Sequence, residues 1–226
     1  LLRLSSYFCD ACAATNGTGP DAPKREPLLL DVARLLTRAV GVMRREAADG
    51  FPRPDGDALL GRSLVALGAI RGDAALISSG IHDLRTVHGD LARPAIDASI
   101  QLAEVLFARS RIVNPPVGGH TRDINRLQAC EDVVAELLGA ILAKGNAAAA
   151  SGVPRSAEDL AHHQRALVQI VDVYLAVLVA YGDLPAAKRE HAGVHALVDT
   201  LAKHLPATHP LLGKALHLAT RYYLKV

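Results

Sequence analysis

Between Leu160 and Tyr223 the chain carries three apolar-periodic blocks separated by two short interruptions, which leaves room for little besides helices. The first block, Leu160–Tyr181, ends at Gly182-Asp183. The second runs from Leu184 to Leu205 and ends at Pro206-Ala207-Thr208-His209-Pro210, and the third starts at Leu211. Apolar residues recur at steps of three and four in each block, the spacing that gathers side chains on one face of an α-helix. Glycine and proline interrupt helices in different ways, by backbone freedom and by a missing N–H. Long helices joined by tight turns, with no catalytic constellation among them, have the form of a helical repeat.

The same pattern extends upstream. Leu29, Val32, Leu36, Val40 and Met43 form one stripe, stopped at Asp49-Gly50 before Pro52 and Pro54. Asp57 caps a following helix whose inner face holds Leu60, Leu64, Leu67 and Ile70. Gly72-Asp73 breaks that helix, and its partner carries Leu76, Ile77, Ile81 and Leu84 up to His88-Gly89-Asp90. Pro94 sits near the start of the next, with Ile96, Ile100, Ala103, Val105 and Phe107 as its apolar positions. After an Asn114–His120 loop, a helix from about Arg122 to Lys144 presents Leu127, Val134, Leu137, Leu138 and Ile141. Asn146–Pro154 reads as a surface connection, and Ser156 with Asp159 as an approximate capping box. The reading is all-α: about seven helices as antiparallel pairs, stacked in a tetratricopeptide-like superhelix over 28–226. Residues 1–27 form a cysteine-bearing lead-in and linker.

Composition agrees with this reading. Half of the 226 residues are hydrophobic and none is Trp, with Ala and Leu abundant. Side chains that are not branched at Cβ favour close-packed helices over a β-sandwich. The net charge of +2, with both signs interspersed, offers no field that would gather nucleic acid or an anionic membrane. No uninterrupted apolar run reaches the roughly 18 residues of a membrane span. Three cysteines give no disulfide framework, which suits a reducing, intracellular compartment, cytoplasmic or nuclear. The chain opens at Leu1 without Met and reads as part of something longer.

An internal repeat follows from laying Arg85–Phe107 over Leu201–Tyr223. His88/His204, Pro94/Pro210, Leu102/Leu218 and Ala103/Ala219 are then identical pairs, each 116 residues apart. That offset is about three units of ~39 residues, near the length of helix-pair repeats.

With Gly182 at the turn glycine, the segment resembles a tetratricopeptide repeat. Val171, Tyr174, Leu175 and Leu178 fall on apolar positions of the first helix, and Ala187 on the small residue where helices touch. A narrower resemblance rests on three segments. They are Ser6-Tyr7-Phe8-Cys9-Asp10-Ala11-Cys12, Tyr181-Gly182-Asp183-Leu184-Pro185-Ala186-Ala187, and His204-Leu205-Pro206-Ala207-Thr208-His209-Pro210-Leu211-Leu212-Gly213. Together they are similar to the C-terminal region of SET-and-MYND-domain lysine methyltransferases. That resemblance implies a zinc-binding post-SET cluster followed by tetratricopeptide-like helices, with any methyl transfer outside this chain. The family's cluster has three cysteines where this chain has two, and its catalytic SET motifs do not occur here.

Cys9 and Cys12 have the spacing of half a zinc site, two residues apart so that both thiolates reach one ion. Structural zinc takes four ligands and no second pair stands nearby, so zinc, free thiols and a redox pair all stay open. His191, His195 and Asp199 share a helix face and read as a solvated one. Arg71-Gly72-Asp73 reads as a helix turn rather than an adhesion tripeptide. In the repeat reading, Gln169 and Asp172 face a groove, an amide and a carboxylate suited to a peptide backbone or a basic side chain. The function expected is a scaffold that binds a protein or peptide partner. The alternative is the tail of a SET-and-MYND-type methyltransferase.

Overall fold

A computed structural model describes residues 22–49, 56–112, 122–150, 156–182 and 192–224. Among them are eight helices: α1 (Ala22–Ala48), α2 (Gly56–Arg71), α3 (Ala74–His88), α4 (Arg93–Arg109), α5 (Ile124–Ala150), α6 (Ala157–Gly182), α7 (Ala192–His204) and α8 (Pro210–Leu224). The described residues contain no strand beyond one isolated bridge, Arg111 to Arg122. The fold is all-α, as the periodicity requires. The chain divides into two compact units, Leu1–Val105 and Leu106–Val226. Cys9, Cys12, Ala187 and His191 lie outside the described residues.

In the first unit, α1 buries the stripe Val32, Leu36, Val40 and Met43 as expected, with Ala33 and Ala39 beside it. Val32, Ala33 and Leu36 meet Ala66 and Leu67 of α2, and further along Val40 and Met43 meet Leu64. Helix α1 begins at Ala22 and so takes in Pro23 and Pro27, which the sequence reading places in a linker. Pro23 stands in the first turn, where a missing N–H has no helical acceptor, and Pro27 forgoes one bond. Asp57 lies inside the first turn of α2 rather than capping it, still favourably placed for the helix dipole.

Helices α2 and α3 form the tightest pair. Gly72 adopts φ 62°, the left-handed conformation that glycine accepts without cost. The N–H of Asp73 then donates to Gly68 O (2.7 Å) and that of Gly72 to Ala69 O (3.2 Å), a Schellman closure. Asp73 Oδ1 in turn accepts from the N–H groups of Ala75 (3.0 Å) and Leu76 (3.3 Å), so one residue ends α2 and starts α3. This use of Gly72 and Asp73 is structural, as read from the sequence. Along the crossing, a Cβ on Gly80 would stand 2.5 Å from Gly61 O, and one on Gly68 2.6 Å from Ile77 Cγ1. Backbone touches backbone there, and no side chain fits between.

In the second unit, α5 packs on α6 and on α7, and α8 packs on α7 and α6. Contacts of Gln128 with Tyr181 and of Gly145 with His163 show α5 and α6 to be antiparallel. Asn146 Nδ2 lies 2.8 Å from His204 Nδ1, placing the C-terminal ends of α5 and α7 side by side. Helix α5 runs on to Ala150, past the expected stop near Lys144, because Ala147–Ala150 are the strongest of helix formers. Ser156 caps α6 as anticipated, its Oγ accepting from Asp159 N–H (3.0 Å) and donating to Asp159 Oδ2 (2.6 Å). At the entry to α5, the Arg122 guanidinium sits 4.7 Å over the Phe107 ring and donates to Ser110 Oγ (3.0 Å).

Two glycine substitutions should separate crowding from backbone freedom. Gly80→Ala forces apart two backbones and should cost about 3 kcal/mol in chemical denaturation. Gly41→Ala, where a Cβ meets nothing within 4 Å, should gain about 0.5 to 1 kcal/mol. Equal effects at the two positions would contradict the crossing geometry.

Candidate functional site

Two features of α6 stand out, one on each face. The inner face carries Tyr174 and Tyr181, seven residues apart and therefore on one side of the helix. The Glu131 carboxylate of α5 lies near enough to both hydroxyls to hold their protons by its charge and by hydrogen bonding. Tyr181 also reaches Gln128 Oε1 at 3.3 Å, and Gln128 Nε2 donates to Asp132 Oδ1 at 3.1 Å. Two turns of α5 are thus tied to two turns of α6 by one polar chain. Sequence reading places Tyr174 correctly as an inward apolar position, and it is buried to 3% exposure. It misses the hydroxyl's partner, which lies 43 positions away in the sequence.

Electrostatics set what this cluster can do. Burial raises both phenols above the ordinary tyrosine range, and the negative charge of Glu131 raises them further. Burial likewise pushes the Cys130 thiol up to about 12, offset in part by a backbone hydrogen bond with Phe107. At neutral pH the tyrosines therefore stay protonated and donate, and the thiol stays unreactive. Groups with proton affinities so far from neutrality are poorly matched to acid–base exchange at pH 7. The cluster organises the α5–α6 contact.

The outer face of α6 is where the sequence-derived residues lie. Gln169 and Asp172 are both exposed, and Asp172 Oδ1 pairs with Lys214 Nζ of α8 at 3.0 Å. Around them Leu160, Val168 and Val179 are 46%, 40% and 50% exposed. By length and composition α6 is apolar enough to cross a membrane, a property it reaches despite Arg165 and Asp172. Its other face is buried core: Ala166, Ile170, Val171, Val177 and Leu178. His195 and Asp199 are exposed on α7, and among the described residues no group of three His, Cys, Asp or Glu is placed to hold a metal.

The chain matches no protein-family model, no curated protein and no solved structure.

The raised groups make stability fall in alkali. The folded protein keeps the Cys130 proton at pH values where the unfolded chain, with an ordinary thiol near 9.0, has lost it. Unfolding is then favoured by about 1.4 kcal/mol per pH unit from pH 9 upward, and the two tyrosines add to the slope above pH 10. Tyr174→Phe should lower stability at pH 7 by about 2 kcal/mol and flatten this alkaline slope. Denaturation curves across pH 7 to 11 read both effects, and an unchanged slope would dismiss the cluster.

Proposed function

We propose that this protein is a helical-repeat scaffold that binds a protein or peptide partner through the outer face of α6. The observation that carries the reading is how the second unit is layered. Helix α5 pairs with α6 and α7 with α8, α5 packs on α7 and α6 on α8, and α6 is therefore the second helix of its pair rather than the first, as a repeat turn at Gly182 would make it. Stacked hairpins of this kind build the extended surfaces of repeat proteins, since each pair buries one side and leaves the other to a ligand. The helix boundaries agree with the internal repeat: α3 ends at His88 and α7 at His204, and Pro94 and Pro210 open α4 and α8.

On α6 the exposed valines supply apolar area, and Gln169 with Asp172 supply the polar contacts that orient a partner. A partner is favoured over a lipid surface by the two opposite charges inside the apolar strip, since charge at membrane depth is costly.

A photo-crosslinking amino acid at Gln169, with a second at Thr86 on α3 as a control, tests the reading in cells. Crosslinked partners should form from Gln169 and drop at least about tenfold in a Val168→Asp/Val179→Asp background that keeps its helical content. Equal yields from both positions, or no loss in the variant, would refute it.

A further inference from the structure

The outer face of α6 has a period of its own. Ala161, Val168 and Leu175 are spaced by seven, as are Arg165, Asp172 and Val179, so the six recur in alternating steps of four and three. They lie opposite the buried Ile170, Tyr174 and Val177, and all are exposed except the half-buried Leu175. A seam of alternating three and four is what one helix presents to another helix, with each knob set between side chains of the neighbour. Helix α6 already has helical neighbours in α5 and α8, and Lys214 of α8 reaches the flank of the outer face at Asp172. The outer seam is a second one.

The charges in the seam select what lies on it. Arg165 stands three residues before Val168 and Asp172 four after it. Turned end for end, the order Arg, Val, Asp becomes Asp, Val, Arg, which is its own complement. We infer that the occupant is a second copy of this chain, its α6 crossing antiparallel on Val168 in a two-fold dimer. Val168 then packs on Val168 of the second copy, and Arg165 faces Asp172 of the second copy twice over. A parallel crossing would set Arg165 on Arg165 and Asp172 on Asp172, and like charges so placed are repulsive. An isologous contact requires this kind of self-complementarity, since the same patch serves both sides. Lys214 holds Oδ1 of Asp172 from the flank, fixing the carboxylate beside the crossing.

This inference rests on the reading of α6 as a partner-binding face, and it names the partner. Sedimentation equilibrium of the full chain over about 1 to 500 µM tests it, a range that captures modest self-association. Wild type should dimerise. Val168→Glu, Arg165→Asp and Asp172→Arg should each weaken the dimer at least about tenfold while circular dichroism stays helical. The decisive sample mixes the Arg165→Asp chain with the Asp172→Arg chain. One then carries two acidic and the other two basic seam positions, so the pair should form a heterodimer although neither self-associates. Monomeric wild type across the range, or no rescue on mixing, overturns the dimer. If monomeric wild type still crosslinks a different polypeptide from Gln169, the dimer falls and the scaffold reading stands. If monomeric wild type instead binds phosphatidylcholine–phosphatidylglycerol vesicles through Val168, both fall.

Discussion

The contact between the backbones of Gly61 and Gly80 sets the geometry of the first unit. With no side chain between them, α2 and α3 approach until carbonyl oxygen meets Cα, and Gly68 repeats the approach seven residues on against Ile77. Close approach multiplies dispersion contacts along both helices, each small and large in sum. It also makes the two-residue turn at Gly72-Asp73 sufficient, because helices lying this close need no longer link. Helix α1 then lays Leu36 and Val40 onto a surface whose shape the glycines have already decided.

The second unit solves the same problem differently. Its long pair, α5 and α6, is aligned by polar contacts inside an apolar interface. Leu127, Val134, Ile141, Ile170 and Val177 supply burial but would tolerate sliding by a turn. Two phenols on one carboxylate do not tolerate it, since a shift of one turn would leave a buried hydroxyl without a partner. The arginine contacts at the start of α5 add a second fixed point: Arg122 on Phe107 and Ser110, and Arg126 Nη1 on Arg109 O at 2.8 Å.

A chain built this way has its chemistry turned inward. The inner groups of α6 are held far from neutral proton affinity, and Cys130 is sealed. What the helix offers outward is shape, apolar area and a pair of opposite charges. The two faces of one helix differ in kind, one ordering the core and the other exposed.

Local features were legible in the sequence. The stripe Val32, Leu36 and Val40 and the stripe Val134, Leu137, Leu138 and Ile141 both follow from a period of 3.6. Caps at Asp73 and Ser156 and the turn at Gly72 follow from short-range hydrogen bonding, which involves residues no more than five positions apart. Gln169 and Asp172, read as groove-facing positions, are exposed on α6, and helix phase is a local quantity. The tertiary structure alone decided what meets across distance. It assigned Glu131 to Tyr174 and Tyr181, Lys214 to Asp172, and Gly80 to Gly61. It also placed a division within α4, in a helix whose own pattern gives no sign of one. Periodicity says which way a side chain points, and packing says what is there when it arrives.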